Sequence, residues 1–153
     1  MDEKIITTAE IHEGSALPKA RVVHIDPDAP ISVEQKPLPE ALCKKPIENK
    51  SAAEWAYERL VLYIQNFEEQ LDNEHEVAVG FAGGTAGVLR IEGIGYFDPD
   101  IVTFYGTDEF GAKTQLIQHV SQLGVTLRAQ PVQKEQTKPK RIGFRLAQDM
   151  DKK

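Results

Sequence analysis

The side chains best suited to chemistry lie towards the back of the chain. Gln115, Gln118, His119 and Gln122 follow one another at steps of three, one and three, which on a helix is a single face. A face rich in amides and one imidazole suits the polar wall of a ligand site or an interface. The plainer reading is a solvated face, because Gln is a good helix former. For catalysis, His119 needs a carboxylate to orient its ring and a nucleophile within reach. Asp108 and Glu109 are the carboxylates offered for an acid–base pair, whereas Ser121, two residues on, faces elsewhere on a helix. No second His or Cys stands at a metal-ligand offset from His119, so neither a metal nor another cofactor is expected.

A second set is cationic. Arg128, Arg141 and Arg145 occupy alternate positions of two strand-like runs. If those runs pair, the guanidinium groups can meet and hold a phosphate or carboxylate through bidentate contacts. Tyr96, Tyr105 and Phe110 are the aromatic residues that could stack a base beside them. The alternative is a solvated strand face paired with Glu. Two further patterns carry less. Residues 80–87 are glycine-rich but lack the Gly-Lys-Ser/Thr ending that grips phosphate, and the run leads from strand to strand, so Gly83-Gly84-Thr85 reads as a hairpin turn. Asp98, Asp100, Asp108 and Glu109 do not match the spacing of a calcium loop and read as turn and cap residues.

These residues depend on elements that the hydrophobic pattern predicts. Ser51-Ala52-Ala53-Glu54 fits a capping box. Ala53, Tyr57, Leu60, Ile64, Phe67 and Leu71 then recur at steps of three and four, which predicts a helix from Ser51 to Asp72. Trp55, Val61 and Leu62 widen its apolar stripe, so the helix should pack on its own sheet and on another subunit. Three strands follow as an antiparallel meander: Val77–Ala82, Gly87–Tyr96 and Ile101–Gly106. In the second, Gly93 and Gly95 leave one face nearly bare, which suits a bulge or a close backbone approach. Ala112–Leu123 reads as a helix capped by Gly124, in preference to a strand. Val125–Gln130 and Arg141–Leu146 read as a two-stranded hairpin. The expected fold class is α+β, with a single domain over residues 51–147 and a polar tail over 148–153.

Residues 1–50 differ in composition. They hold six of the nine prolines and one of the 11 glycines. Proline at this density disfavours helices and removes ladder donors, so the segment reads as an extended or partly disordered arm. Lys4–Thr8 and Arg21–Ile25 are its two β-like runs, and the second could extend a sheet edge. A lone cysteine, Cys43, excludes an intrachain disulfide and fits a reducing cytoplasm. The N-terminus has no secretion-signal pattern and no run reaches the length of a membrane span. The net charge of −6 opposes general affinity for nucleic acid or anionic membrane. The charge is uneven: residues 113–153 hold nine Lys and Arg against three Asp and Glu, and the remainder is acidic. Such asymmetry can mark an anion-binding face or a head-to-tail contact between copies.

The runs Glu92-Gly93-Ile94-Gly95-Tyr96-Phe97-Asp98-Pro99-Asp100-Ile101, Phe104-Tyr105-Gly106, Leu116 to Leu123 and Arg141-Ile142-Gly143-Phe144 resemble a family of small bacterial proteins, domain of unknown function 6173. The likeness spans residues 51–147. It implies a bacterial or phage source and a small stand-alone domain, and it supplies no activity or catalytic residue. Gln118-His119-Val120-Ser121, following a helix and a bent sheet and preceding a final strand, is similar to the bacterial Sm-like RNA chaperones. Gln118 stands where those proteins have lysine, and the acidic net charge disagrees with an RNA-binding ring.

The expected function is a non-enzymatic, homo-oligomeric binding or interaction module for a protein or a small anionic ligand such as a nucleotide. Candidate ligand-binding residues are Gln115, Gln118, His119, Arg128, Arg141, Arg145, Tyr96 and Tyr105. One alternative is a small hydrolase using His119 with Asp108 or Glu109; the other is an Sm-like RNA binder.

Overall fold

The structure is a computed structural model that describes residues 19–82, 87–133, 136 and 138–151. The expected strand Lys4–Thr8 and the Gly83-Gly84-Thr85 turn lie outside the described residues. The chain divides into two compact units, Met1–Lys50 and Ser51–Lys153. Among the described residues no helix is long and apolar enough to cross a membrane.

The described part of the first unit holds three short helical turns: a 3₁₀ turn at Val33–Gln35, helix α1 at Glu40–Cys43 and a 3₁₀ turn at Ile47–Asn49. The last two begin directly after Pro39 and Pro46, where the missing N–H costs nothing. Arg21–Ile25 forms no strand, and Val23 and Ile25 are exposed.

The second unit is α+β. Helix α2 runs from Ala52 to Glu69. The Ser51 hydroxyl accepts from the Glu54 N–H at 3.0 Å and donates to Asp98, so the helix start is tied to the turn after the second strand. Strands β1 (His75–Phe81), β2 (Val88–Phe97), β3 (Ile101–Thr107), β4 (Lys113–His119) and β5 (Val125–Pro131) form one sheet in the order β4-β3-β2-β1-β5. Every neighbouring pair is antiparallel. The predicted meander is present and gains β4 as a fourth strand. Helix α3 (Ile142–Asp151) follows.

The core forms where α2 covers one sheet face. Ala53, Val79, Leu89, Val102 and Phe104 are fully buried, with Ile91 beside them. Each large member contributes about 1.5–3 kcal/mol by leaving water. Phe81 meets Phe104 edge to face at 4.8 Å.

Three expectations are corrected. Residues 112–123 are not a helix but β4 followed by a 3₁₀ turn at Val120–Gln122. Along β4, Lys113, Gln115, Ile117 and His119 are exposed, while Thr114, Leu116 and Gln118 turn inward. Leu116, Val120 and Leu123 all pack on the core; inward points of a strand and of the turn after it mimic helical spacing. Pairing with β3 over seven residues overrides the helix propensity of the glutamines. Gly124 is not a helix cap: a Cβ there would stand 2.9 Å from that of Ala82, whose N–H donates to the Gly124 carbonyl.

The run 141–146 is not a strand: residues 142–146 form the first part of α3. Ile142, Leu146 and Met150 recur at steps of four and pack inward, so Met150, assigned to a polar tail, completes an apolar face. The Glu68 carboxylate accepts from the Ile142 and Gly143 N–H groups at 3.1 and 2.6 Å, serving the first turn of α3 from outside it. A Cβ on Gly143 would meet that carboxylate and the Gln65 backbone, so glycine permits the close approach of α3 to α2. The second surface of α2 is therefore met by α3 of the same chain. With no strand at 141–146, β5 pairs with β1 instead.

The third correction concerns β2. Ile91 pairs with Gly106 and Gly93 with Tyr105, which leaves Glu92 as an extra residue. This bulge reverses the alternation. Strict alternation along the strand would set Ile94 and Tyr96 beside Val88 and Arg90; they instead join Leu89 and Ile91 against the core.

Candidate functional site

Opposite α2, the sheet presents its outer face. Directly paired residues of antiparallel strands share a face, so three rows can be read across β2, β3 and β4: Gly93-Tyr105-Gln115, Gly95-Thr103-Ile117 and Phe97-Ile101-His119. Two glycines on this face let the side chains of the paired strand lie close over the backbone. A Cβ on Gly93 would touch the Tyr105 ring at 3.5 Å, and one on Gly95 would stand 2.9 Å from Thr103 Oγ1. On the same face Phe97, Tyr105 and Ile117 are 76%, 44% and 62% exposed. Phe110 is exposed at the tip of the β3–β4 hairpin. Asp108 shapes that tip by accepting from the Phe110 and Ala112 N–H groups at 2.9 and 2.8 Å, the turn role its type suggests.

At one end of these rows, His119 makes a short relay. The Ser121 N–H donates to Nδ1 at 3.1 Å, so Nδ1 is the acceptor and Nε2 carries the proton. Nε2 donates to Asp100 Oδ2 at 3.0 Å, and the Ser121 hydroxyl stands 2.8 Å from Nδ1. The backbone N–H of His119 donates to Gln122 Oε1 at 3.0 Å, completing a capping box for the 3₁₀ turn. The carboxylate that meets His119 is thus Asp100 and not Asp108 or Glu109. Those two follow β3 at the far end of the hairpin, because His119 pairs with Ile101 and Lys113 with Thr107. Six residues of strand span roughly 20 Å. A strand followed by a tight turn brings Ser121 back to the ring, which a helix would not do.

The other half of the outer face is closed by the chain itself. Glu76, 3% exposed, accepts from Arg90, from Gln136 Nε2 at 2.9 Å and from the Lys140 N–H at 3.0 Å. Arg90 also donates to the Pro131 carbonyl at 3.2 Å. Burial pushes the Glu76 carboxyl up, but the Lys140 N–H, the Gln136 amide and the Arg90 guanidinium outweigh it and hold the group below the ordinary glutamate value. Glu92 accepts from Thr107 Oγ1 at 2.8 Å and lies 3.8 Å from Lys113. On this half Ala78 is buried, opposite Arg128 on β5.

The predicted site residues therefore divide. Gln115, His119 and Tyr105 share the open outer face. Gln118 turns inward beside Val102, so the three polar residues of 115–119 do not form one face. Tyr96 is also inward, with its ring 5.2 Å from that of Tyr57. Burial, aided by the charge of Asp149, raises the Tyr57 phenol above its ordinary value. The arginines stand on different elements. Arg128 is exposed on β5 and Arg145 on α3. Arg141 donates to the His75 and Asp72 carbonyls at 2.8 and 2.9 Å, a structural clamp between the end of α2, the start of β1 and the start of α3. Among the described residues no group of His, Cys, Asp and Glu is placed to hold a metal. The Asp100–His119–Ser121 relay and the Glu76–Arg90 network were missed in the sequence. Assigning 113–119 to a strand is the signal that would have exposed the first.

Residues 45–145 match the model of a family described as of unknown function, DUF6173. No curated protein and no solved structure matches the chain significantly.

Proposed function

The chain belongs to the DUF6173 family, and we propose that it is a non-enzymatic interaction module that works as a homo-oligomer, in the cytoplasm of a bacterium, with the outer face of β2–β3–β4 as its binding surface. The observation that carries this reading is the exposure of Phe97, Tyr105 and Ile117 together on one sheet face. Rigid aromatic and aliphatic side chains on a regular sheet lose little entropy when covered. A protein partner suits this apolar surface better than a small anion, since Arg141 is spent on backbone carbonyls and Arg128 and Arg145 stand elsewhere. A native mass spectrum of the purified protein tests the reading. A whole-number multiple of 17.1 kDa supports it, and a bare monomer at every concentration removes the oligomer. An added mass of a few hundred daltons (a metabolite, on the order of tens of heavy atoms) would return the anionic ligand to first place.

One observation favours a second reading, a small hydrolase. Ser121, His119 and Asp100 are aligned as nucleophile, base and orienter. Against it, the Ser121 N–H shares the Nδ1 lone pair that a base must use, and the His119 side chain is 45% exposed. Turnover of an activated ester that disappears in both Ser121→Ala and His119→Ala, with the fold intact, would establish this reading.

A further inference from the structure

We infer that two copies of the chain join through β4, antiparallel to β4 of the second copy, with Leu116 opposite Leu116 on a two-fold axis. The inference rests on the homo-oligomer reading above and supplies its interface. In the strand order β4-β3-β2-β1-β5, the two edges are β4 and β5, and among the described residues each leaves every second N–H and C=O without a strand partner on one side. Neither edge is equivalent to the other when it meets itself. The midpoint of β5, Val125–Pro131, is Arg128. Self-pairing in full overlap sets two guanidinium groups opposite each other, an unfavourable arrangement. Pro131 also removes a donor from its end. The midpoint of β4, Lys113–His119, is Leu116, and β4 has neither proline nor bulge to blunt its edge.

The charges of β4 agree with self-pairing. In this register Lys113 falls opposite His119 of the second copy, on the same exposed face. That ring holds the Asp100 carboxylate, so an ammonium group meets an anion at each end of the joined strands. Lys113 is 88% exposed and only loosely placed 3.8 Å from Glu92, free to make the new contact. Gln115 falls opposite Ile117, both exposed. Pairing β4 with β5 in full overlap lacks this agreement. Outward side chains of β4 are odd-numbered and those of β5 even-numbered, by pairing with Ala78 and Gly80. Full overlap would set outward against inward residues, and only a one-residue slip repairs it. The two open outer faces then become one continuous surface.

Sedimentation of the full-length chain across the micromolar range, with circular dichroism to confirm folding, tests the interface. Wild type should sediment at twice 17.1 kDa. Gln115→Lys with Ile117→Lys sets Lys opposite Lys and should halve that mass. Gln115→Glu with Ile117→Lys sets Glu opposite Lys and should restore it. All substituted positions are exposed, so the fold persists. A wild-type dimer that ignores the double-lysine variant overturns the β4 interface and leaves the oligomer reading standing. An oligomer larger than two also overturns the two-fold arrangement. Dissociation caused by Val23→Asp with Ile25→Asp, but not by the β4 changes, would assign the contact to the exposed Arg21–Ile25 run instead. A monomer throughout removes both the interface and the oligomer.

Discussion

The two halves of the sheet's outer face are built by opposite means. Over β1 and the first part of β2, the chain returns after β5 and locks itself down with a buried carboxylate, Glu76, that serves three donors. Over the rest of β2, with β3 and β4, glycines replace side chains and apolar groups stay in water. The closed half spends charge to hold its own backbone in place. The open half leaves Phe97, Tyr105 and Ile117 exposed and takes its shape from strand pairing. Removing side chains should therefore unfold the first and leave the second standing but without a partner.

The largest effect is expected from Glu76→Ala. Arg90, Gln136 and the Lys140 N–H lose their common acceptor, and leaving such groups buried costs about 3 kcal/mol. In a domain of this size that lowers the melting temperature by roughly 10–20 °C; a fall of only a degree or two would show that the closed half is not held by this carboxylate. The same group sets an acid limit. Its folded pKa lies below the ordinary value of 4.5, so its contribution is present above that value and is lost as pH falls through the depressed one. Denaturant midpoints of the wild type should drop below about pH 4.5, and those of Glu76→Gln should drop less. Glu68 works in the opposite direction. Burial outweighs the Gly143 and Ile142 N–H groups and raises its pKa, so its share of stability is greatest in acid and declines as pH rises through the raised value.

A middle-sized effect belongs to the junction of β4 with the β2–β3 turn. His119→Ala removes the bonds to Asp100 and Ser121, which are exposed, and should cost about 1 kcal/mol in urea unfolding. The smallest effects should come from the open half. Tyr105→Ala and Phe97→Ser should each shift stability by no more than about 0.5–1 kcal/mol while weakening capture of a protein partner. A large loss of stability in either would mean that the open half is part of the fold's support and not a surface kept for binding.

Much of the closed architecture was legible in the sequence because single signals agreed. The Ser51 cap and the 3.6-residue stripe after it mark α2, and β1, β3 and β5 alternate cleanly. The errors lie where a short apolar set fits two periods. Leu116, Val120 and Leu123 fit a helix as well as a strand with a turn. Ile142, Phe144 and Leu146 alternate like a strand, and only Met150, four residues past Leu146, shows which side is inward. Those two exchanges account for the misplaced site residues. Gln118 left the presumed face because β4 is a strand, and Arg128 could not meet Arg141 and Arg145 because α3 is a helix. Ser121 reached His119 for the same reason that Gln118 turned away. Glu68 and Glu76 gave no sign of burial, since the Gly143 and Lys140 N–H groups they accept from lie 75 and 64 residues further along the chain.

Glu92 acts as a frame marker for the β2–β3 hairpin. Before it, odd positions of β2 face the core; after it, even positions do. Sliding the hairpin by two residues would preserve the pleat on either side, yet it would carry the extra residue past Thr107 and Tyr105 and leave one stretch out of phase. The bulge thereby admits a single alignment. A chain lacking Glu92 would regain strict alternation with Ile94 and Tyr96 still against the core, whereas a strand that kept Glu92 but paired it in line would turn both towards water and exchange the inside and outside of half a strand.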